Sequence, residues 1–204
     1  MTGLFITFEG GDGAGKSTQA KLLAAALEAA GHTVVMTREP GGTPAAEQIR
    51  NVVLDPANEG LSDRTEALLF AASRAEHVEK KIRPALAAGQ VVISDRFVDS
   101  SIAYQGIGRG LGIEQVSEIN SWATNGLWPD LTFLLDVNTS NGLARVAEPN
   151  RLEAAPESMH KNVREAFLEL ARRSPERFVV LDASRAIEDL AAEILAAVNA
   201  KIGK

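Results

Sequence analysis

The chain reads as a three-layer α/β protein, with five short parallel strands in one sheet flanked by helices on both faces. Two observations carry that expectation. Short runs of β-branched and large apolar residues alternate along the chain with longer stretches of helical character. Those runs are apolar almost throughout, as in parallel strands covered on both sides, rather than alternating with polar residues.

In chain order, Leu4–Phe8 is the first expected strand, and Lys16–Ala30 the first helix, whose alanines allow close packing on a sheet. Val34–Thr37 follows as a strand. The next segment, Arg38-Glu39-Pro40-Gly41-Gly42-Thr43, must be a loop because proline and paired glycines break both periods. Helical stretches are expected over Thr43–Leu54 and Ser62–Ala88, then a strand over Val91–Ser94. A short helical stretch carries Ser100, Ser101, Tyr104 and Gln105, and a further helix runs over Ile113–Asn125. Leu131–Asp136 and Phe178–Asp182 complete the strands, with helices at Met159–Arg173 and Ala186–Ile202. Residues Val146–Arg151 break on Pro149 and form a second irregular segment. Both irregular segments lie where α/β proteins hold ligands, beyond strand ends or over the cleft. The 204 residues fit a single domain, 1–204.

Charge and composition narrow the function classes. Lys and Arg total 21 against 27 Asp and Glu, a net charge of −6. Such a chain lacks the broad basic surface of a general nucleic-acid binder, although local arginine clusters can still hold small anions. The absence of cysteine excludes disulfides, thiolate metal sites and a cysteine nucleophile, and suits the cytoplasm. Apolar runs fall far short of the roughly 18 residues needed to span a bilayer. No basic segment precedes the first apolar run, which stops at Glu9, so no leader peptide and no membrane contact are expected.

Gly10-Gly11-Asp12-Gly13-Ala14-Gly15-Lys16-Ser17 matches G-x-x-x-x-G-K-[ST] between an expected strand and an expected helix. Its glycines let backbone N–H groups curl around phosphate oxygens at a helix N-terminus. Lys16 would reach the β- and γ-phosphates, and the Ser17 hydroxyl would ligate Mg²⁺. No Asn-Lys-x-Asp sequence for guanine recognition is present, which disfavours a GTPase.

With these residues collected, the chain resembles thymidylate kinases of the bacterial type, essentially end to end. The likeness rests on Phe8–Thr18, Thr37–Thr43, Leu69–Arg74, Asp95–Gly106 and Pro129–Thr132. It implies a nucleoside-monophosphate kinase fold, a mobile lid at about 145–156 and a homodimer. The implied reaction transfers the γ-phosphoryl of Mg·ATP to dTMP, giving dTDP and ADP.

The resemblance also assigns residues. Gly10 to Thr18 and Arg145 would hold ATP. Asp12, Glu39, Arg50, Phe70, Arg74, Arg96, Ser100, Ser101, Tyr104 and Gln105 would hold dTMP. Lys16, Asp12, Arg96 and the lid residue Arg151 would act on the transferred group, with Ser17, Asp95 and Glu39 at the metal. Arg38 would brace its loop. Phe70 and Arg74 stand i and i+4 on one helix face, so Phe70 can stack on thymine while Arg74 donates to O4. A cytosine amino group there would meet donor with donor. The lid is shorter than is typical of the family, and Asn150 stands where aspartate is usual. His32, His77 and His160 have no metal-ligand spacing and read as solvated or surface residues, whereas Trp122 and Trp128 read as core or dimer packing.

Overall fold

The computed structural model describes residues 3–138, 140, 142, 151–153 and 155–203. Among them, five strands form one parallel sheet in the order β2-β3-β1-β4-β5. The strands are β1 (Leu4–Glu9), β2 (Val34–Arg38), β3 (Val91–Asp95), β4 (Leu131–Asp136) and β5 (Phe178–Asp182). The chain winds from β1 towards β2 and β3, then crosses to the other side for β4 and β5. Strand order therefore reverses between β3 and β1, and the crevice beyond their carboxyl ends is the natural ligand position.

Pleating divides the core into two layers. Phe5 of β1, Val92 of β3 and Leu134 of β4 face one side, with Val163 and Phe167 of a helix at Glu157–Arg173 (α7). Ile6, Phe8, Ile93, Phe133 and Leu135 face the other. There they meet Leu23 and Leu27 of α1 (Lys16–Ala29), together with Leu190, Ile194 and Val198 of α8 (Ile187–Ile202).

The long helix expected over Ser62–Ala88 is in fact three pieces. Ser62 caps α3 (Asp63–His77), accepting a hydrogen bond from Thr65 N; a π-helical turn follows at Val78–Ile82, then α4 at Arg83–Ala87. Pro84 explains the wider turn, because it cannot donate to the carbonyl four residues back and its ring would strike that carbonyl. A second π-helical segment, Ile102–Gly108, continues α5 (Val98–Ser101). Two more helices, α2 (Pro44–Leu54) and α6 (Ile113–Ala123), flank α3.

Phe133 is fully buried and stacks on Phe8 with ring centroids 5.3 Å apart. Phe133→Ala is expected to lower unfolding free energy by about 3–5 kcal/mol through lost burial and a residual cavity, read as a reduced denaturant midpoint.

Candidate active site

Residues from the ends of β1, β2 and β3 converge because their registers align, Phe8 and Arg38 both standing opposite Asp95. The loop after β1 comes close under its neighbour. A Cβ on Gly10, whose φ is 134°, would lie 2.4 Å from the Leu135 carbonyl oxygen. Only glycine suits that position. The loop ends at Gly15, the N-cap of α1, which supplies no side-chain cap. The first turn of α1 is thus open to an anion.

Lys16 is 7% exposed and its Nζ donates to the carbonyls of Gly10 (3.2 Å) and Gly11 (2.7 Å). Burial pushes its pKa down to about 8, and nearby Arg96 adds to that, against the pull of Asp12 and Asp95. Beside it, the Ser17 hydroxyl donates to Asp95 Oδ2 in a very short contact. A hydroxyl and a carboxylate side by side are hard oxygen donors of the kind Mg²⁺ selects.

Arg96 occupies the centre. Its φ of 72° is left-handed, uncommon for a side-chain-bearing residue. Surrounding bonds hold it there: its N–H donates to Phe8 O (2.9 Å), and its guanidinium to Gly10 O (3.1 Å), Asp12 Oδ1 (2.5 Å) and Ser100 Oγ (3.0 Å). The opposite oxygen of Asp12 accepts from Tyr104 (3.0 Å). Burial pulls the Asp12 pKa up, but Arg96, Lys16 and the Tyr104 hydrogen bond outweigh it and leave the carboxyl below its ordinary value. Glu9, buried behind Ser100, accepts from Phe97 N (2.8 Å) and Ser100 Oγ (2.5 Å). Desolvation, reinforced by Asp99, pushes its pKa up to about 8.

A cavity of about 300 Å³ opens in front of these groups. Asp12, Lys16, Ser17, Asp95 and Arg96 line it, together with Phe70, Arg74, Ser101, Tyr104 and Gln105. Arg50 also lines it and donates to Pro40 O (2.8 Å). Arg38 pairs with Glu47 (2.9 Å) and braces the loop. Arg74 is 1% exposed and its guanidinium is held at four points. Nε donates to Glu39 Oε2 (2.6 Å), NH1 to Ser101 Oγ (3.0 Å) and to Asn120 Oδ1, and NH2 to Phe97 O (3.1 Å).

Three sets of side chains stand differently from expectation. Glu39 was expected at the metal, yet its two carboxylate oxygens accept from Arg74 Nε and contact His77 Nδ1 (2.9 Å). So occupied, the carboxylate can turn to a metal only by leaving Arg74 and His77 without a buried partner. Arg151 was expected to reach the transferred phosphate, but it is 8% exposed and bonded to Val53 O (2.8 Å) and Glu66 Oε2 (2.6 Å). Its two successors, Leu152 and Glu153, line the cavity instead. His77 is no surface residue, being fully buried against Glu39 and Thr37 Oγ1 (2.6 Å), and His160 is 5% exposed. Arg145 and most of the lid segment lie outside the described residues. Sequence reasoning also missed Asn120 and Glu66; a polar residue within an otherwise amphipathic helix is a faint signal for such roles.

A phosphate loop on α1, a second anion wall around Arg96 and a flat apolar surface between helices define a P-loop nucleotide kinase. The comparisons with known proteins are narrower. The sequence model described as "Thymidylate kinase" matches residues 8–194, and the chain belongs to the thymidylate kinase family. It is 52% identical to a thymidylate kinase of Deinococcus radiodurans over 200 residues, covering 97% of each chain. Over 193 residues it is 54% identical to one from Symbiobacterium thermophilum, covering 94% of this chain and 90% of that protein. A crystal structure of thymidylate kinase from Ehrlichia chaffeensis superimposes with a TM-score of 0.80 at 35% identity, covering 97% of this chain and 99% of that one.

A polyphosphate docked against Lys16 would bind with a pH dependence set by the low pKa of that amine. A bound polyphosphate favours the charged amine and raises its pKa, so binding above about pH 8 must take up a proton. The Kd for ATP is expected to be flat from about pH 6.5 to 7.5 and to rise several-fold between about pH 8 and 9, as measured by titration calorimetry. Lys16→Ala should weaken binding and flatten that rise.

Proposed function

We propose that this chain transfers the γ-phosphoryl group of ATP to dTMP, with the polyphosphate on the loop Gly10–Thr18 and the thymidine nucleotide in the cavity beyond Arg96. The observation that carries the reading is one guanidinium joining the glycine loop to Ser100 at a cavity that Phe70 and Arg74 also line. The acceptor is itself a phosphate, whose second pKa is about 6 by analogy with phosphoserine, so no general base is needed at neutral pH. The task is to bring two polyanions into line and to neutralise charge spreading over the transferred group.

In this reading Lys16 reaches the donor phosphates, and Arg96 and Arg50 hold the acceptor phosphate. Asp12 keeps Arg96 and Tyr104 oriented, and Ser100 and Ser101 lie along the acceptor. Ser17 and Asp95 would hold Mg²⁺, which when bound shields the polyphosphate charge. Phe70, packed with Val53 and Leu152, offers the base a flat apolar face. One Arg74 N–H without an acceptor among the described residues is left for thymine O4.

The proposal extends to a homodimer in the cytoplasm, built as one domain over 1–204. Leu68 (56% exposed) and Trp122 (85% exposed) present apolar area on the α3/α6 face beside Ala71, Ala72 and Ile119. A second copy would cover that patch. The absence of cysteine supports a reducing compartment, and no described helix is long and apolar enough to cross a membrane.

A coupled ADP-release assay over a panel of monophosphates tests the reaction, and preference for any acceptor over dTMP would reject it. Arg74→Lys keeps a charge for Glu39 but loses the planar fork. It is expected to raise KM for dTMP about tenfold or more with a smaller change in kcat. Trp122→Arg is expected to give monomers at concentrations where the parent is dimeric, as read by light scattering.

A further inference from the structure

Behind the cavity wall, Glu66 of α3 is fully buried and draws donors from three directions. Gln105 Nε2 reaches Oε1 at 3.0 Å, Arg109 reaches Oε1 through Nε (3.3 Å) and Oε2 through NH2 (3.1 Å), and Arg151 reaches Oε2 at 2.6 Å. Burial pulls the Glu66 pKa up, but these hydrogen bonds outweigh it and hold the carboxyl below its ordinary value. At neutral pH it is ionised, and an ionised carboxylate only accepts.

That restriction extends to Gln105, the hydrogen-bond partner of Glu66. A glutamine amide can present either edge, one donating and one accepting. Facing a carboxylate, Gln105 must turn its Nε2 towards Glu66, which leaves Oε1 on the other side. Gln105 lines the cavity, and no described residue donates to its Oε1. Arg74 lines the same cavity and has one N–H without an acceptor among the described residues, so a ligand there is offered a donor from Arg74 and an acceptor from Gln105. Thymine presents an acceptor, O4, beside a donor, N3–H. Cytosine presents the reverse, an amino donor beside the N3 acceptor. Glu66, Phe70 and Arg74 stand at i, i+4 and i+8 on one stripe of α3, so a single helix face supplies the stacking ring, the donor and the group that orients the acceptor.

We propose that Glu66 is a specificity-determining positioning residue, which touches no substrate but fixes the Gln105 amide with its carbonyl towards the cavity, so that the site takes thymine and rejects cytosine. This rests on the reading of the cavity as the thymidylate site. A glutamine at position 66 could donate or accept, and both amide orientations of Gln105 would then be allowed. A purely structural role, neutralising Arg109 and Arg151, predicts lost stability with discrimination intact.

The test measures kcat/KM for dTMP and dCMP on the full chain and on Glu66→Gln, Gln105→Glu and the double variant, each checked for folding by circular dichroism. Glu66→Gln should reduce the dTMP-to-dCMP ratio about tenfold or more, through KM rather than kcat. Gln105→Glu sets two carboxylates together and should lower kcat/KM for dTMP. The double variant conserves net charge and reverses the bond, with the amide at 66 donating to the carboxylate at 105, whose other oxygen meets N3–H. It should recover most of the activity and preference lost in Gln105→Glu. A folded Glu66→Gln with a ratio within about twofold of the parent overturns the proposal and leaves the thymidylate site standing. Should Glu66→Gln fail to fold, the double variant decides: recovery above Gln105→Glu supports the proposal, and an unfolded or unrecovered double variant overturns it. A parent enzyme without preference for dTMP removes the reading of the cavity and the proposal together.

Discussion

The guanidinium of Arg96 ties the loop after β1 to the segment that follows β3. It donates to Gly10 and Asp12 on the loop and to Ser100 four residues further along its own segment. Its backbone sits in a left-handed conformation that costs energy for a side-chain-bearing residue. That cost is offset by the bond from its N–H to Phe8 and by the charge-assisted contacts around it. The remaining polar groups of the site are arranged about this point. Asp12 is held ionised by it, Tyr104 lies under it with the guanidinium carbon 5.2 Å from the ring centroid, and Lys16 loses part of its proton affinity to it.

The sheet makes this arrangement possible. Because β3 lies between β1 and β2 in parallel register, the residues after all three strands emerge at one edge. Three short segments distant in sequence then share one cavity, without a long loop having to reach across. Helix α3 completes the other end, since its buried stripe faces inward and its exposed residues, Leu68 among them, face away.

Two clusters of buried charge among the described residues are held in networks. Glu39 joins Arg74 to His77, and Glu66 joins Arg109 and Arg151 to Gln105. Desolvating such groups is costly, and the cost is recovered only when most lone pairs and N–H groups find partners. A network of this kind also restricts geometry, because each guanidinium or amide has few ways to satisfy all its neighbours. Orientation of the groups that face a substrate follows from that restriction.

The strands, the glycine-rich loop after β1 and the shared α3 face of Phe70 and Arg74 were legible in the sequence, because each depends on local spacing. Apolar runs form buried strands, glycines allow the loop its turns, and residues four apart share a helix face. The placing of Arg151 and Glu39 was not legible. Both are charged residues in loops, and a loop position says nothing about which distant group will neutralise the charge. Arg151 turns to Glu66, 85 residues earlier, and Glu39 turns to Arg74 and His77. His77 looked like a surface residue because nothing near it in sequence reveals that Glu39 and Thr37 fold over it. Sequence alone determined the strands and the glycine loop ahead of α1, whose causes lie within a few residues. The tertiary structure decided which charges meet, because desolvation makes every buried charge seek a partner wherever the fold supplies one.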